Sequence, residues 1–219
     1  MIDVNNRGKD VPKQALSTTV QKTDDAVGVL RSTEEKKHWY VAIVNNNSEK
    51  LCLEKLRQRL KKQPDSENSY EAYVAIQQEL RIGSDGKRKK VDRIVFPAFI
   101  FIRCTDKVRR KEIVYLPYIK RFMVNIAGSS QGGCRPVAII PDNQMYSLMR
   151  MVNDAESEVS IESRPLHLGE RVRVNGGKLV GLEGNVWEEP DGSTSLVIMI
   201  DILGCAKVTI ARDLLDSIG

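Results

Sequence analysis

Apolar and polar positions change their spacing several times along the chain, and each change marks an element. Residues 1–37 are polar, mixed in charge and without a sustained apolar period, so they read as a flexible tail with a short helix near Asp24 to Arg31. Order is expected to begin at HWYVAIV (38–44), a β-branched and aromatic run stopped by NNNS. Ser48 can cap a helix in which Leu53, Leu56 and Leu60 fall at i, i+3 and i+7, and Pro64 ends it. Two β-like runs follow, YEAYVAIQQELRI (70–82) and VDRIVFPAFIFIRC (91–104). Between them GSDGKRKK reads as a hairpin connector turning at Asp85-Gly86. In the second run Phe99 and Phe101 share one face, and Ile100 and Ile102 the other. A short charged segment, TDKVRRKEI, precedes VYLPYIKRFMVNIAG, which has strand character. Pro141-Asp142 opens a helix striped by Met145, Leu148, Met149 and Val152. The alternation predicts an α+β domain, an antiparallel sheet flanked by helices.

The pattern then changes scale. NDAESEVSIESR is polar and acidic and reads as a linker. From Pro165 the chain becomes short β-prone runs broken by turn signals: ERVRVN, GNVWEE, SLVIMIDIL and AKVTIA. Strands this short in about 55 residues close as a small barrel rather than as two full sheets. The expected organisation is a tail (1–37), a first domain (38–153), a linker (154–164) and a barrel (165–219).

Charge sharpens this division. Residues 1–37 carry 7 basic and 6 acidic side chains, residues 38–154 carry 21 and 12, and residues 155–219 carry 6 and 11. A basic middle and an acidic end suit different partners, one of them a polyanion; an unevenly solvated surface is the bland alternative. The four cysteines are scattered with no CxxC pair, and the two histidines lie in different candidate domains, so reduced structural thiols and no metal centre are expected. The longest apolar run, LVIMI, is closed by Asp201, and MIDVNNRGKD lacks the apolar stretch of a signal peptide. A soluble, cytoplasmic, monomeric protein is expected, with no membrane partner. Nothing on the chain has the local signature of a catalytic centre, and neither an enzyme nor a cofactor is expected.

The glycines of VRVNGGKLVGLEGNVWEEPDG (172–192) pose a choice between a phosphate loop and barrel turns. A phosphate loop needs Gly-Lys followed by Ser or Thr at a helix entrance, but Gly177-Lys178 is followed by Leu179, with strand on both sides. Turns with positive φ and close backbone approach explain the glycines better. The segment GERVRVNGGKLVGLEGNVWE resembles a KOW motif, the strand-loop-strand signature of small SH3-like barrels, with Gly177, Gly181 and Gly184 as its turn glycines.

The upstream residues extend the resemblance. HWYVAIVNNNSEKLCLEKL, followed by VFPAFIFIRC, is similar to the NusG N-terminal (NGN) domain, through Trp39 and Tyr40 on the first strand and Phe96, Pro97, Phe99 and Phe101 on a later one. Ala98 stands where the family commonly has Gly, and Phe99 where it has Tyr. The resemblance covers residues 38–219 and implies a NusG-family transcription elongation or antitermination factor, an NGN domain followed by a KOW barrel. It implies that an apolar sheet face, including Ile43, Phe96, Phe99 and Phe101, seats the clamp helices of RNA polymerase. It also implies that Arg109, Arg110 and Lys111 lie beside the non-template DNA strand, and that the barrel recruits Rho or a ribosomal protein. The long tail and the divergent, acidic barrel are similar to specialised UpxY/RfaH-like antiterminators that act on one long operon, typically for capsular polysaccharide. The alternatives are a general NusG and a KOW-type ribosome- or RNA-binding protein.

Overall fold

The computed structural model describes residues 35–62, 69–84, 86–127, 135–163 and 166–219. The helix expected near Asp24 to Arg31, Pro64, Asp85 and Cys134 lie outside the described residues.

The first sheet grows from β1 (His38–Ile43), whose β-branched and aromatic residues alternate between two buried faces. Helix α1 (Glu49–Lys62) follows, seating Cys52, Leu53 and Leu56 against the sheet. Ser48 contributes its carbonyl to the first helical bond, from Cys52 N–H at 2.9 Å, while its hydroxyl turns back to Asn45 O at 2.6 Å. The two long β-like runs each break in two, giving β2 (Glu71–Tyr73), β3 (Ile76–Ile82), β4 (Arg88–Ile94) and β5 (Phe99–Cys104). The second break is a turn at Phe96-Pro97-Ala98, where the proline cannot donate to a ladder. Strands β3 and β4 pair only with each other, as a hairpin in which Gly86 has φ 71°.

Downstream lie α2 (Asp106–Lys111), a 3-10 turn (Ile113–Tyr115), β6 (Arg121–Phe122), β7 (Ile139–Ile140) and α3 (Asp142–Asp154). The strand character expected from Val114 onward therefore gives way to a 3-10 turn, and only two residues become β6. The sheet order is β2-β5-β1-β6, with β7 also paired to β1. One face, with Tyr40, Ala42, Ile100 and Ile102, packs with Cys52 and Leu56 of α1. The other face, with Trp39, Val41 and Phe101, packs with Met145, Leu148, Met151 and Val152 of α3.

The C-terminal region is a six-stranded antiparallel sheet, β13-β9-β10-β11-β12-β8, formed by β8 (Val159–Glu162), β9 (Arg171–Val174), β10 (Glu183–Glu188), β11 (Thr194–Ile200), β12 (Gly204–Thr209) and β13 (Leu215–Ser217). Such a β-rich unit after an NGN-like sheet is the α+β arrangement expected. Strand β8 lies inside the segment read as linker: Val159 and Ile161 alternate with Ser160 and Glu162, and they pair with Val208 and Ala206 of β12. Residues Glu35–Gly219 form one compact unit. A continuous core runs from Trp39, Val41 and Phe101 through Met145, Leu148 and Val152 to Val159, Leu179, Leu196 and Val208.

Candidate functional site

The aromatic strand is positioned by a buried clamp. Ala98 adopts φ 64°, and its N–H donates to Oε1 of Glu49, a carboxylate fully removed from solvent at the start of α1. The Ala98 carbonyl accepts from Val44 N–H at 2.9 Å. This turn stacks Phe96 on Phe99, with centroids 6.4 Å apart, and sets Phe96 edge-on to Phe101 at 5.6 Å. Tyr73 flanks Phe101 at 6.1 Å, and burial pushes its hydroxyl up to about 12.

The four residues expected on the apolar patch do not share one fate. Ile43 and Phe99 face each other across the β1–β5 ladder, and both are partly exposed. Phe96 and Phe101 are buried, Phe101 completely. The accessible patch is therefore Ile43 with Phe99, and the other two rings support it from beneath. Trp39 is core.

The three expected cations separate as well. Thr105 caps α2 through its hydroxyl to Val108 N–H at 3.3 Å. Within this helix Arg109 turns inward, 7 % exposed, its guanidinium 2.6 Å from Asp106 and lying over the rings of Tyr40 at 5.3 Å and Phe122 at 5.5 Å. Arg109 is thus a packed residue and is not presented to a nucleic acid in this arrangement. Successive residues on a helix point about 100° apart, so three adjacent cations cannot share a face. Arg110 and Lys111 are exposed, Arg110 within 2.6 Å of Asp106.

A second set of cations faces solvent beside them. Lys55, Arg59 and Lys62 fall at i, i+4 and i+7 of α1 and line a shallow depression with Gln58, Leu116 and Tyr118. Lys55 stands 5.5 Å from the Tyr118 ring centre, and Arg59 pairs at 3.1 Å with Glu112, next to Lys111. The spacing of these cations is legible in the sequence, but as a solvated helix face it offered no reason to be singled out.

The barrel glycines act in two ways. Gly177 and Gly181 have φ 74° and 81°, conformations an L side chain rarely adopts. Gly184 is not a turn residue: it lies within β10, where a Cβ would come 2.5 Å from the Val197 carbonyl. It permits close strand packing instead.

Polar side chains of the β3–β4 hairpin and of α3 fasten the barrel to the first domain. Gln77 donates to Ser157 O at 2.8 Å and accepts from Val159 N–H at 2.9 Å, and Arg93 donates to Val159 O at 2.6 Å. Arg150 donates to Lys178 O and Val180 O, and Gln144 accepts from Asp201 N–H at 2.8 Å. Cys52, Cys104 and Cys205 are free and buried, and desolvation pushes the Cys104 thiol up to about 12. Among the described residues no cluster of His, Cys, Asp or Glu is arranged to hold a metal, and no helix is long and apolar enough to cross a membrane.

A family described as "Transcription termination factor nusG" matches residues 37–149. The transcription termination/antitermination protein NusG of Staphylococcus carnosus is 23% identical over 168 residues, 77% of this chain and 88% of that protein. The protein of the same description from Escherichia coli O6:H1 is 28% identical over 178 residues, covering 80% and 92%. A solved structure described as "Domain interaction in Thermotoga maritima NusG" is 18% identical and superposes with a TM-score of 0.43, covering 84% of this chain and 98% of that one. The family match spans more than half of the chain and takes in the aromatic strand, its Glu49 clamp and the cationic helices, and on that evidence the chain belongs to the NusG family of transcription termination/antitermination factors.

Proposed function

We propose that this chain suppresses pausing and termination by binding the clamp helices of RNA polymerase and the non-template DNA strand, acting on a specific long operon such as one for capsular polysaccharide. The observation that carries the polymerase contact is the Ile43–Phe99 pair, apolar and partly exposed over the buried rings of Phe96 and Phe101. A helix tip seated there gains roughly 25 cal/mol per Å² of apolar surface removed from water. The rigid rings of Phe96 and Phe101 beneath hold Phe99 in place, so little ordering is left for binding to impose.

Arg110 and Lys111, with Lys55 and Lys62 on the neighbouring helix, supply the cationic surface for a displaced single strand, and Tyr118 offers a ring against a base. A body that grips the clamp and the displaced strand together resists clamp opening, and no bond chemistry is required. The barrel is then the module that meets a further partner: Rho or a ribosomal protein if the chain is a general factor, another partner in a specialised one.

Co-purification with RNA polymerase followed by elongation on a long template tests this reading. Binding with increased read-through on one operon's leader alone supports the specialised factor. Equal effects on unrelated templates favour the general factor, which the names carried by the curated relatives suggest. Absence of polymerase binding overturns both and returns attention to RNA or the ribosome.

A further inference from the structure

The β3–β4 hairpin has no part in the proposed function, and its outer half exposes aliphatic side chains beside cations. Its register places Ile76 with Ile94, Gln78 with Asp92, Leu80 with Lys90 and Ile82 with Arg88 on one face. The inner pairs are engaged: Ile76 and Ile94 pack on the α1-side core, and Asp92 meets Lys50 at 2.8 Å. Beyond them Leu80 is 63 % and Ile82 73 % exposed, each directly across the ladder from an exposed cation.

We infer that the outer half of this hairpin is a ribbon for duplex DNA, entering the major groove with Leu80, Ile82, Arg88 and Lys90 toward the base edges and phosphates. The dimensions agree: the major groove, about 12 Å wide, admits a two-stranded β-ribbon. Strands of seven residues extend roughly 23 Å at ~3.3 Å per residue. The charge agrees as well, since residues 80–90 carry Arg81, Lys87, Arg88, Lys89 and Lys90 against Asp85 alone. Exposed branched aliphatics suit contact with thymine methyl groups. No aromatic residue lies between Ile76 and Ile94, so a single strand would find no stacking platform here. A second copy of the chain would set Arg88 and Lys90 against the same cations, which opposes a hairpin-to-hairpin dimer.

Fluorescence anisotropy of the full chain with a labelled duplex of about 20 base pairs, and with one of its strands alone, tests the inference across a salt series. In the R88Q/K90Q variant the duplex affinity is expected to fall roughly tenfold or more near 0.1 M salt, and the slope of log K on log salt to flatten by about 1.8. Single-strand affinity and polymerase co-purification are expected to stay as in the parent. The R110Q/K111Q variant is expected to weaken the single strand and spare the duplex, so failure of one reading is distinguishable from failure of the other. L80S/I82S is expected to weaken the duplex with an unchanged salt slope. The circular dichroism spectrum checks that each variant is folded. The inference is overturned if R88Q/K90Q binds duplex like the parent or loses duplex and single strand equally. It is also overturned if the parent ignores duplex DNA, and loss of polymerase by R88Q/K90Q in that case would make the hairpin a protein-binding arm.

Discussion

Ala98 holds a backbone conformation that its own side chain resists. Left-handed φ costs a non-glycine residue about 1–2 kcal/mol, and the conformation persists because Glu49 and Val44 hold the turn from both sides. Ala98→Gly is therefore expected to raise stability by about 0.5–1 kcal/mol, the relief of strain less the greater chain entropy of glycine. The check is a higher urea midpoint at unchanged slope. Arg109 makes the opposite case. Arg109→Ala gives up a charge-assisted hydrogen bond worth about 1.5–3 kcal/mol and ring contacts of about 0.5–1 kcal/mol each. It is expected to lower the melting temperature by several degrees, whereas R110Q/K111Q leaves it nearly unchanged. From sequence, Arg109, Arg110 and Lys111 look alike. What separates them is the phase of a six-residue helix and an aspartate three and four positions upstream, and an expectation built on a charged segment without helical phase could not resolve them.

At the scale of elements, the strands and helices around the aromatic run were legible because their signals are clean: short β-branched and aromatic runs, buried on both faces, in β1 and β5, and a period of 3.6 in α1 and α3. Strand β8 was hidden by composition, since the glutamates around it suggested a linker although Val159 and Ile161 keep a period of two. The break at Phe96-Pro97-Ala98 was hidden for another reason. Continuous apolar character conceals a turn when the turn residues are themselves apolar, and only Pro97 signalled it. The barrel's acidic side chains also have a measurable consequence. Arg173 and Arg171 hold the Glu183 carboxyl below its ordinary range, and a Lys207 hydrogen bond does the same for Glu189. Groups depressed in the folded state add stability that is fully present above the unfolded value, near ~4.3, and is lost as pH falls through the folded one. The melting temperature is thus expected to drop as the solution is acidified below about pH 4.3. In Glu189→Gln protein the drop should be shallower, from a lower starting point at neutral pH.

In the whole molecule, the decisive contacts are those a sequence does not advertise. Gln77 and Arg93 lie on hairpin strands and Arg150 on a helix, and their acceptors are barrel backbone carbonyls, which carry no side-chain signal. The sequence divided the chain at its acidic segment, while the folded chain runs one core across that division. The parent protein is expected to unfold in a single calorimetric transition. Q77A/R93A removes the polar seat and leaves buried barrel groups unpaired, so it is expected to split the transition in two, the barrel melting first. A single transition at the parent temperature would show that the apolar core alone joins the two parts. A common core also limits how freely the parts can be exchanged between relatives. A barrel grafted from another family member would bring apolar side chains shaped for a different α3 and backbone carbonyls with no Gln77 or Arg93 to meet them. A working chimera has to carry α3 and the base of the hairpin along with the barrel, so in this chain the heritable module is larger than the barrel.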